Sequence, residues 1–309
     1  MTIRFDDRVA IVTGAGQGLG RCYARELAAR GARVVVNDLG GGVDGAGSDA
    51  SLAAAVAAEI RAAGGEAVAS TDSVSDRAGA GRIVETALDV WGRVDVVINN
   101  AGILRDKMFT RMDLDDFEAV VGVHLLGAAY VTRAAFGVMR KQSYGRIVMT
   151  TSAAGLFGNL GQANYAAAKL GVVGLMNALK IEGTKRNILV NAVSPVADTR
   201  MGAKVFPDFF KAMVRPELVA AAVTYLASEE CTASGDILIT AAGYFSRVQL
   251  MEGAGVAFAP EVDVTPELVA ERYGDITDMS RAVPHDSALD SLKSLFVKVA
   301  PEELAGVVS

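Results

Sequence analysis

Val9-Ala10-Ile11-Val12-Thr13-Gly14-Ala15-Gly16-Gln17-Gly18-Leu19-Gly20 is the stretch on which the fold turns. Four apolar residues lead into a glycine run, and a segment with helical period follows over residues 18–30. The first part reads as a buried strand and the last as a helix. Glycine between them lets the backbone turn tightly and approach a ligand closely. The helix start then offers free N–H groups and the positive end of its dipole. A glycine triplet alone is a weak signal, but between a strand and a helix it specifies a pyrophosphate cradle. Gly14, Gly16, Gln17, Gly18, Leu19 and Gly20 are therefore candidate cofactor contacts.

The same rhythm continues outward. Short apolar runs over residues 9–13, 33–37, 67–71, 94–99, 146–151, 188–192 and 236–240 read as strands. Their near-continuous apolar character is what a parallel sheet covered on both faces requires. Helical segments fall at 18–30, 50–63, 76–91, 114–140, 162–186 and 216–228. The alternation predicts an α/β, Rossmann-type, doubly wound and mostly parallel seven-stranded sheet with helices on both faces. Two segments break the rhythm. Residues 39–49 form a Gly-rich stretch that reads either as a flexible insertion or as a loop wrapping the adenosine half of a cofactor. Residues 243–309 carry helix candidates at 266–273 and 287–299 but no clear strand pattern. The chain is accordingly divided into a Rossmann domain, residues 1–245, and a C-terminal extension, residues 246–309, packing on the core or on a dimer partner.

Composition narrows the function classes. The 309 residues are 51% hydrophobic and carry 30 basic against 36 acidic side chains, a net charge of −6. An acidic chain has no global attraction to nucleic acid or anionic lipid, so neither is expected as a partner. The apolar runs are broken by charges or glycine before reaching membrane-spanning length. Cys22 and Cys231 make no disulfide framework and no metal-ligand spacing exists, which fits a reduced, cytoplasmic setting.

Asp38 ends the second strand. A carboxylate there accepts hydrogen bonds from ribose hydroxyls and repels a 2′-phosphate, and no Arg follows it directly, so NAD is favoured over NADP. Arg21 runs slightly against that preference. Asn99-Asn100-Ala101-Gly102 closes the fourth strand with small residues that let the chain pass beside the cofactor, and an amide to tie neighbouring strands. Asp72, after strand three, is placed to accept from the adenine amino group, or is a simple turn residue; Ser73 follows it.

Strand five ends in Thr151-Ser152, and thirteen residues later comes Tyr165, with Lys169 four further on. At that spacing Tyr165 and Lys169 share a helix face. A phenol has a pKa of about 10 and is a poor base at neutral pH, but a neighbouring ammonium favours the phenolate. Tyr165 then serves as general base to an alcohol or general acid to a ketone, with Ser152 donating to the substrate oxygen. Taken singly, such a Tyr–Lys pair is usually packing and such a Ser usually a cap. Behind a dinucleotide cradle they read together as catalytic.

Gly14, Gly18, Gly20, Asn99-Asn100-Ala101-Gly102, Ser152 and Tyr165-x-x-x-Lys169 resemble the short-chain dehydrogenase/reductase family over about residues 5–245. Val36-Asn37-Asp38-Leu39-Gly40-Gly41, Gly102-Ile103-Leu104-Arg105-Asp106, Val123-His124-Leu125 and Gly158-Asn159-Leu160-Gly161-Gln162-Ala163-Asn164-Tyr165 are similar, more narrowly, to the dehydrogenase modules of the peroxisomal multifunctional enzyme type 2 group. That resemblance implies oxidation of (3R)-hydroxyacyl-CoA with NAD, or of a 17β-hydroxysteroid. It also implies that Lys169 holds the nicotinamide ribose, that Pro195 lies by the cofactor, and that the protein is a homo-oligomer, most simply a dimer. His124 stands where the wider family carries Asn, and reads as a buried structural side chain or as part of a proton relay. Thr199 follows Pro195 at a shorter spacing than the family pattern, so no nicotinamide contact is assigned to it. Leu156, Phe157, Val205, Phe206, Phe209 and Phe210 suggest an apolar substrate wall, and Arg200, Lys204, Lys211 and Arg215 either meet CoA phosphates or form a solvated face. A reading from another class is a non-catalytic NAD-sensing protein, which would not need the Ser152–Tyr165–Lys169 set.

Overall fold

The computed structural model describes residues 2–197 and 213–299. Thr199, Arg200, Lys204, Val205, Phe206, Phe209, Phe210 and Lys211 lie outside the described residues. The chain divides into two units between Arg247 and Val248.

The first unit is built on one sheet. Its strands are β1 (Val9–Thr13), β2 (Arg33–Asn37), β3 (Glu66–Ser70), β4 (Val96–Asn99), β5 (Gly145–Thr150), β6 (Ile188–Val196), β7 (Ile237–Ala241) and β8 (Tyr244–Val248). They lie in the order β3-β2-β1-β4-β5-β6-β7-β8. All pairings from β3 to β7 are parallel. The order reverses between β1 and β4, and in such sheets ligands bind at the carboxyl ends of the strands at that switch point.

The helices of this unit are α1 (Gly18–Ala29), α2 (Ala50–Ala62), α3 (Arg77–Trp91), α4 (Leu114–Val121), α5 (Gly127–Gln142), α6 (Ala153–Phe157), α7 (Ala163–Gly183) and α8 (Pro216–Ala227). α1 packs against α2 and α8, while α3, α5, α4 and α7 pack among themselves, so the sheet is covered on both faces. Val9 to Val12 and Val34 to Val36 are fully buried. At roughly 1.5–3 kcal/mol for each buried aliphatic side chain, these strands anchor the first βαβ unit. Local signals fix the helix ends. Asp76 caps α3 by accepting from Ala78 N and Gly79 N, and Gly92 ends it at φ 73°.

Four departures from the sequence reading have physical causes. An eighth strand follows β7 through Ala242 and Gly243, both at positive φ, the signature of a tight antiparallel hairpin. β6 runs on to Val196 instead of stopping at Ala192. Its Pro195 lies beyond the last β5–β6 pair, Thr150 with Val193, so no ladder donor is missed on that side. The predicted helix over 114–140 is one path from Leu114 to Gln142 with a π-helical turn, Gly122–Leu126, between α4 and α5. By length and composition alone that path is apolar enough to cross a membrane, contrary to the expectation that no run reaches such length; 44% of its most apolar window is buried inside the protein.

In the second unit, Glu252 pairs with Val283 in an isolated antiparallel bridge. Short helices Pro266–Glu271 and Tyr273–Ile276 precede a longer one, Ala288–Val299. His285 lies between Glu252 and Asp290, with Nε2 2.7 Å from Glu252 Oε2.

Candidate active site

The glycine run after β1 is shaped by contacts that no side chain would allow. Gly14 and Gly18 have φ of 62° and 54°. A Cβ on Gly14 would stand 2.8 Å from Ala101 Cα, one on Gly16 2.8 Å from Asp38 Oδ2, and one on Gly20 would collide with Gly14 O. Asn100 holds the turn from the other side, donating through Nδ2 to Thr13 O (2.9 Å) and Gly14 O (3.0 Å). Gln17, the N-cap of α1, makes no side-chain cap, so the first N–H groups of the helix face the cleft without a side-chain acceptor. The cradle therefore fits a pyrophosphate. Gly20→Ala is expected to push α1 off the turn, costing about 1–3 kcal/mol in stability and most of the cofactor affinity. Thermal melts with and without NADH check this; an unchanged ligand-induced shift would contradict it.

A cavity of about 400 Å³ opens in front of this turn. Of the candidate cofactor contacts, Gly14, Gln17, Gly18, Leu19, Asp38, Asp72, Ser73, Ala101 and Gly102 line it, while Gly16 and Gly20 support it from behind. Asp38 accepts from Gly16 N (2.8 Å) and Gly40 N (2.7 Å), which fixes the carboxylate with lone pairs to spare. Arg21 is held on Glu59 by two nitrogens and does not line the cavity. Asp72 receives Arg82 Nε at 2.6 Å. Asn99 differs from the sequence reading: its amide turns to Thr132 Oγ1 (2.8 Å), away from the cleft, and Asn100 lines the cavity instead. Gly41, Gly42 and Gly45 of the Gly-rich loop form part of the cavity wall.

Ser152, Tyr165 and Lys169 come together at the ends of β5 and α7. Ser152 caps α6, accepting from Ala154 N at 3.2 Å, and its hydroxyl also hydrogen-bonds the Tyr165 phenol. Lys169 is buried and donates to Thr150 O at 2.7 Å, with Nζ 5.5 Å from the Tyr165 ring centre. Burial pushes the lysine down to about 7. Burial also raises the phenol above its ordinary value, against the Ser152 hydrogen bond, which lowers it. The sequence expectation was a lowered phenol. The difference arises because burial of the phenol itself outweighs the hydrogen bond that lowers it. Pro195, half-buried in β6, pairs with Thr240.

His124 sits on the π-helical turn with 3% of its surface exposed. Its Nε2 lies 3.0 Å from Ile103 N and 2.7 Å from Ile103 O, and its ring meets Tyr165 edge-on at 5.0 Å. Burial, then the Lys169 charge, hold it well below the ordinary imidazole value, so it is neutral. Gly102 is required beside it, because a Cβ there would collide with Cε1. Sequence reasoning passed over Asn164. Its Nδ2 donates to Arg105 O (3.0 Å) and its Oδ1 accepts from Tyr165 N (2.8 Å). Only its place beside Tyr165 hinted at a role.

Known proteins resemble this chain in sequence and in architecture. Residues 8–208 match the short chain dehydrogenase family profile, and the chain belongs to that family, whose members use NAD or NADP. The chain is 47% identical to peroxisomal multifunctional enzyme type 2 of Drosophila melanogaster over 282 residues, covering 91% of this chain and 47% of that one. It therefore spans about half the length of the fly enzyme. It is 50% identical over 276 residues to a short-chain type dehydrogenase/reductase of Mycobacterium tuberculosis, covering 89% of this chain and 96% of that protein. Among solved structures, full-length multifunctional enzyme type 2 from Drosophila melanogaster superposes with a TM-score of 0.82 at 38% identity, covering 98% of this chain and 51% of that one. A 7α-hydroxysteroid dehydrogenase complexed with NADH and 7-oxo glycochenodeoxycholic acid gives 0.70 at 28% identity, covering 78% of this chain and 95% of that one. The chain is thus a short-chain dehydrogenase/reductase related to the dehydrogenase part of multifunctional enzyme type 2.

Proposed function

We propose that the protein is an NAD-dependent oxidoreductase that interconverts (3R)-3-hydroxyacyl-CoA and 3-oxoacyl-CoA. The observation that carries this reading is the convergence of Ser152, Tyr165 and Lys169 beside a dinucleotide cradle. Asp38, held by two backbone amides, favours the free 2′-hydroxyl of NAD, and Arg21 is engaged elsewhere. The bound nicotinamide supplies the site that accepts or gives hydride. Ser152 Oγ holds the substrate oxygen, and Tyr165 Oη takes the alcohol proton or returns it to the ketone. Lys169 Nζ, held by its hydrogen bond to Thr150 O, orients the nicotinamide ribose and stabilises the phenolate as it forms. A neutral His124 keeps the 103 backbone and the tyrosine ring in register.

The likeness to multifunctional enzyme type 2 supports the acyl-CoA substrate. We further read the protein as a cytoplasmic homodimer whose extension from about residue 246 packs on the core or on the partner subunit; two free thiols fit a reducing compartment. The test is NADH formation from NAD with (3R)- and (3S)-hydroxyacyl-CoA, a steroid side-chain CoA alcohol and a free 17β-hydroxysteroid. Turnover of the (3R) thioester supports the proposal. Turnover of the free steroid alone replaces it with a hydroxysteroid dehydrogenase, and NADH binding without any turnover replaces it with a sensing protein.

A further inference from the structure

We propose that Arg105 is a positioning residue that ties the loop over the cofactor cleft to the start of the helix bearing Tyr165, so that closing the loop and fixing the general acid–base become one event. This rests on the cofactor reading given above. Arg105 lies on a strap, residues 102–107, that crosses between the two ends of the cleft. Toward the loop, Arg105 Nε donates to Asp44 O at 2.8 Å and Leu104 N donates to Val43 O at 2.8 Å. Gly45 sits against Ile103, where a Cβ would come within 3.1 Å of its methyl carbons. These contacts hold Gly42 and Gly45 in the cavity wall.

Toward the chemistry, the same residue is gripped by α7. Arg105 O accepts from Asn164 Nδ2 at 3.0 Å, and Asn164 Oδ1 accepts from Tyr165 N at 2.8 Å. The Arg105 guanidinium also meets Asp116 Oδ1 at 3.2 Å, and Lys107 meets Asp116 Oδ2 at 2.8 Å, so α4 sets the height of the strap. His124 Nε2 holds Ile103, two residues before Arg105, lying 2.7 Å from its O and 3.0 Å from its N, with the tautomer deciding which of the two it bonds. Loop and tyrosine are thus joined through two hydrogen-bonding residues, Arg105 and Asn164. A loop this rich in glycine is costly to order, so its closure needs such a partner. Whatever stabilises the closed loop then biases Arg105 and with it Asn164 and Tyr165.

The experiment is hydrogen exchange on the ligand-free protein, NADH titration and kcat at saturating NAD, for the full chain and for Arg105→Ala, Asn164→Ala and the double variant. Arg105→Ala is expected to speed exchange in residues 39–49 and in 159–168, to weaken NADH about tenfold and to lower kcat about five- to twentyfold. Asn164→Ala is expected to loosen 159–168 and lower kcat while leaving NADH affinity within about twofold, and the double variant should be no slower than the slower single one. Loosening confined to 39–49 with kcat unchanged, or losses that multiply in the double variant, would overturn the proposal. If the protein does not bind NADH, the cofactor reading fails, while the ligand-free exchange still decides whether the two segments are joined. Should Arg105→Ala fail to fold, Arg105→Lys keeps a cation for Asp116 but loses the guanidinium fork, and must show the same pattern at smaller amplitude.

Discussion

Tyr165→Phe is expected to lower kcat/KM by about 10²- to 10⁴-fold while leaving NADH binding within a few-fold, because it removes one proton-transfer atom and little else. The ring remains, and with it the edge-on contact to His124 at 5.0 Å. Ser152 loses one partner but still accepts from Ala154 N, so no buried polar group is stranded and the fold should change by about 1 kcal/mol or less. The phenol is raised by burial in the cofactor-free protein. A cationic nicotinamide beside it acts in the opposite sense, so the apparent pKa of kcat should lie below that of a tyrosine titrated in the free enzyme. Turnover of the variant within about tenfold of the parent would remove Tyr165 from the chemistry and leave the cradle without a proton carrier.

What the sequence could and could not disclose follows from where the information sits. The β1–Gly–α1 unit is local: its apolar run, its glycines and its helix start are contiguous, and strand and helix fall where the pattern puts them. The same holds for Ser152, Tyr165 and Lys169, whose spacing within one strand–helix passage brings them together. β8 was invisible because it is an edge strand with little burial and hence no apolar stripe. The π turn has no composition of its own, and the extra backbone spacing at His124 is paid for by tertiary contacts to Ile103. Asn100 and Asn99 are indistinguishable as a dipeptide, and only the strand's alternation assigns one to the cleft and the other to the core. Arg105 and Asn164 are far apart in sequence, so their shared work on the strap is a property of the fold alone.

Lys169→Met should abolish turnover and yet stabilise the cofactor-free protein. Lys169 is 3% exposed; its ammonium donates to the Thr150 carbonyl, and among the described residues it forms no ion pair. Burial holds its pKa at about 7, below the ordinary lysine value of 10.5. At pH values above 7 the unfolded chain therefore binds more protons at this position than the folded one, and stability rises with pH up to the unfolded value. Below about 7 both states are protonated, and the folded state carries the full cost of a buried cation. A methionine of similar length removes that cost but leaves Thr150 O without its donor, so the net gain should be of the order of 1–3 kcal/mol, or a few degrees in Tm. The gain should be largest at and below neutral pH and shrink toward pH 10.5, which melting curves of the two proteins across that range would read directly. A parent protein whose Tm is flat from pH 7 upward, or a variant that melts lower at pH 6, would mean that the lysine is solvated or paired in solution. A site that gives up stability to keep a desolvated amine beside a phenol is what proton chemistry needs and what a passive binding fold would have no reason to retain.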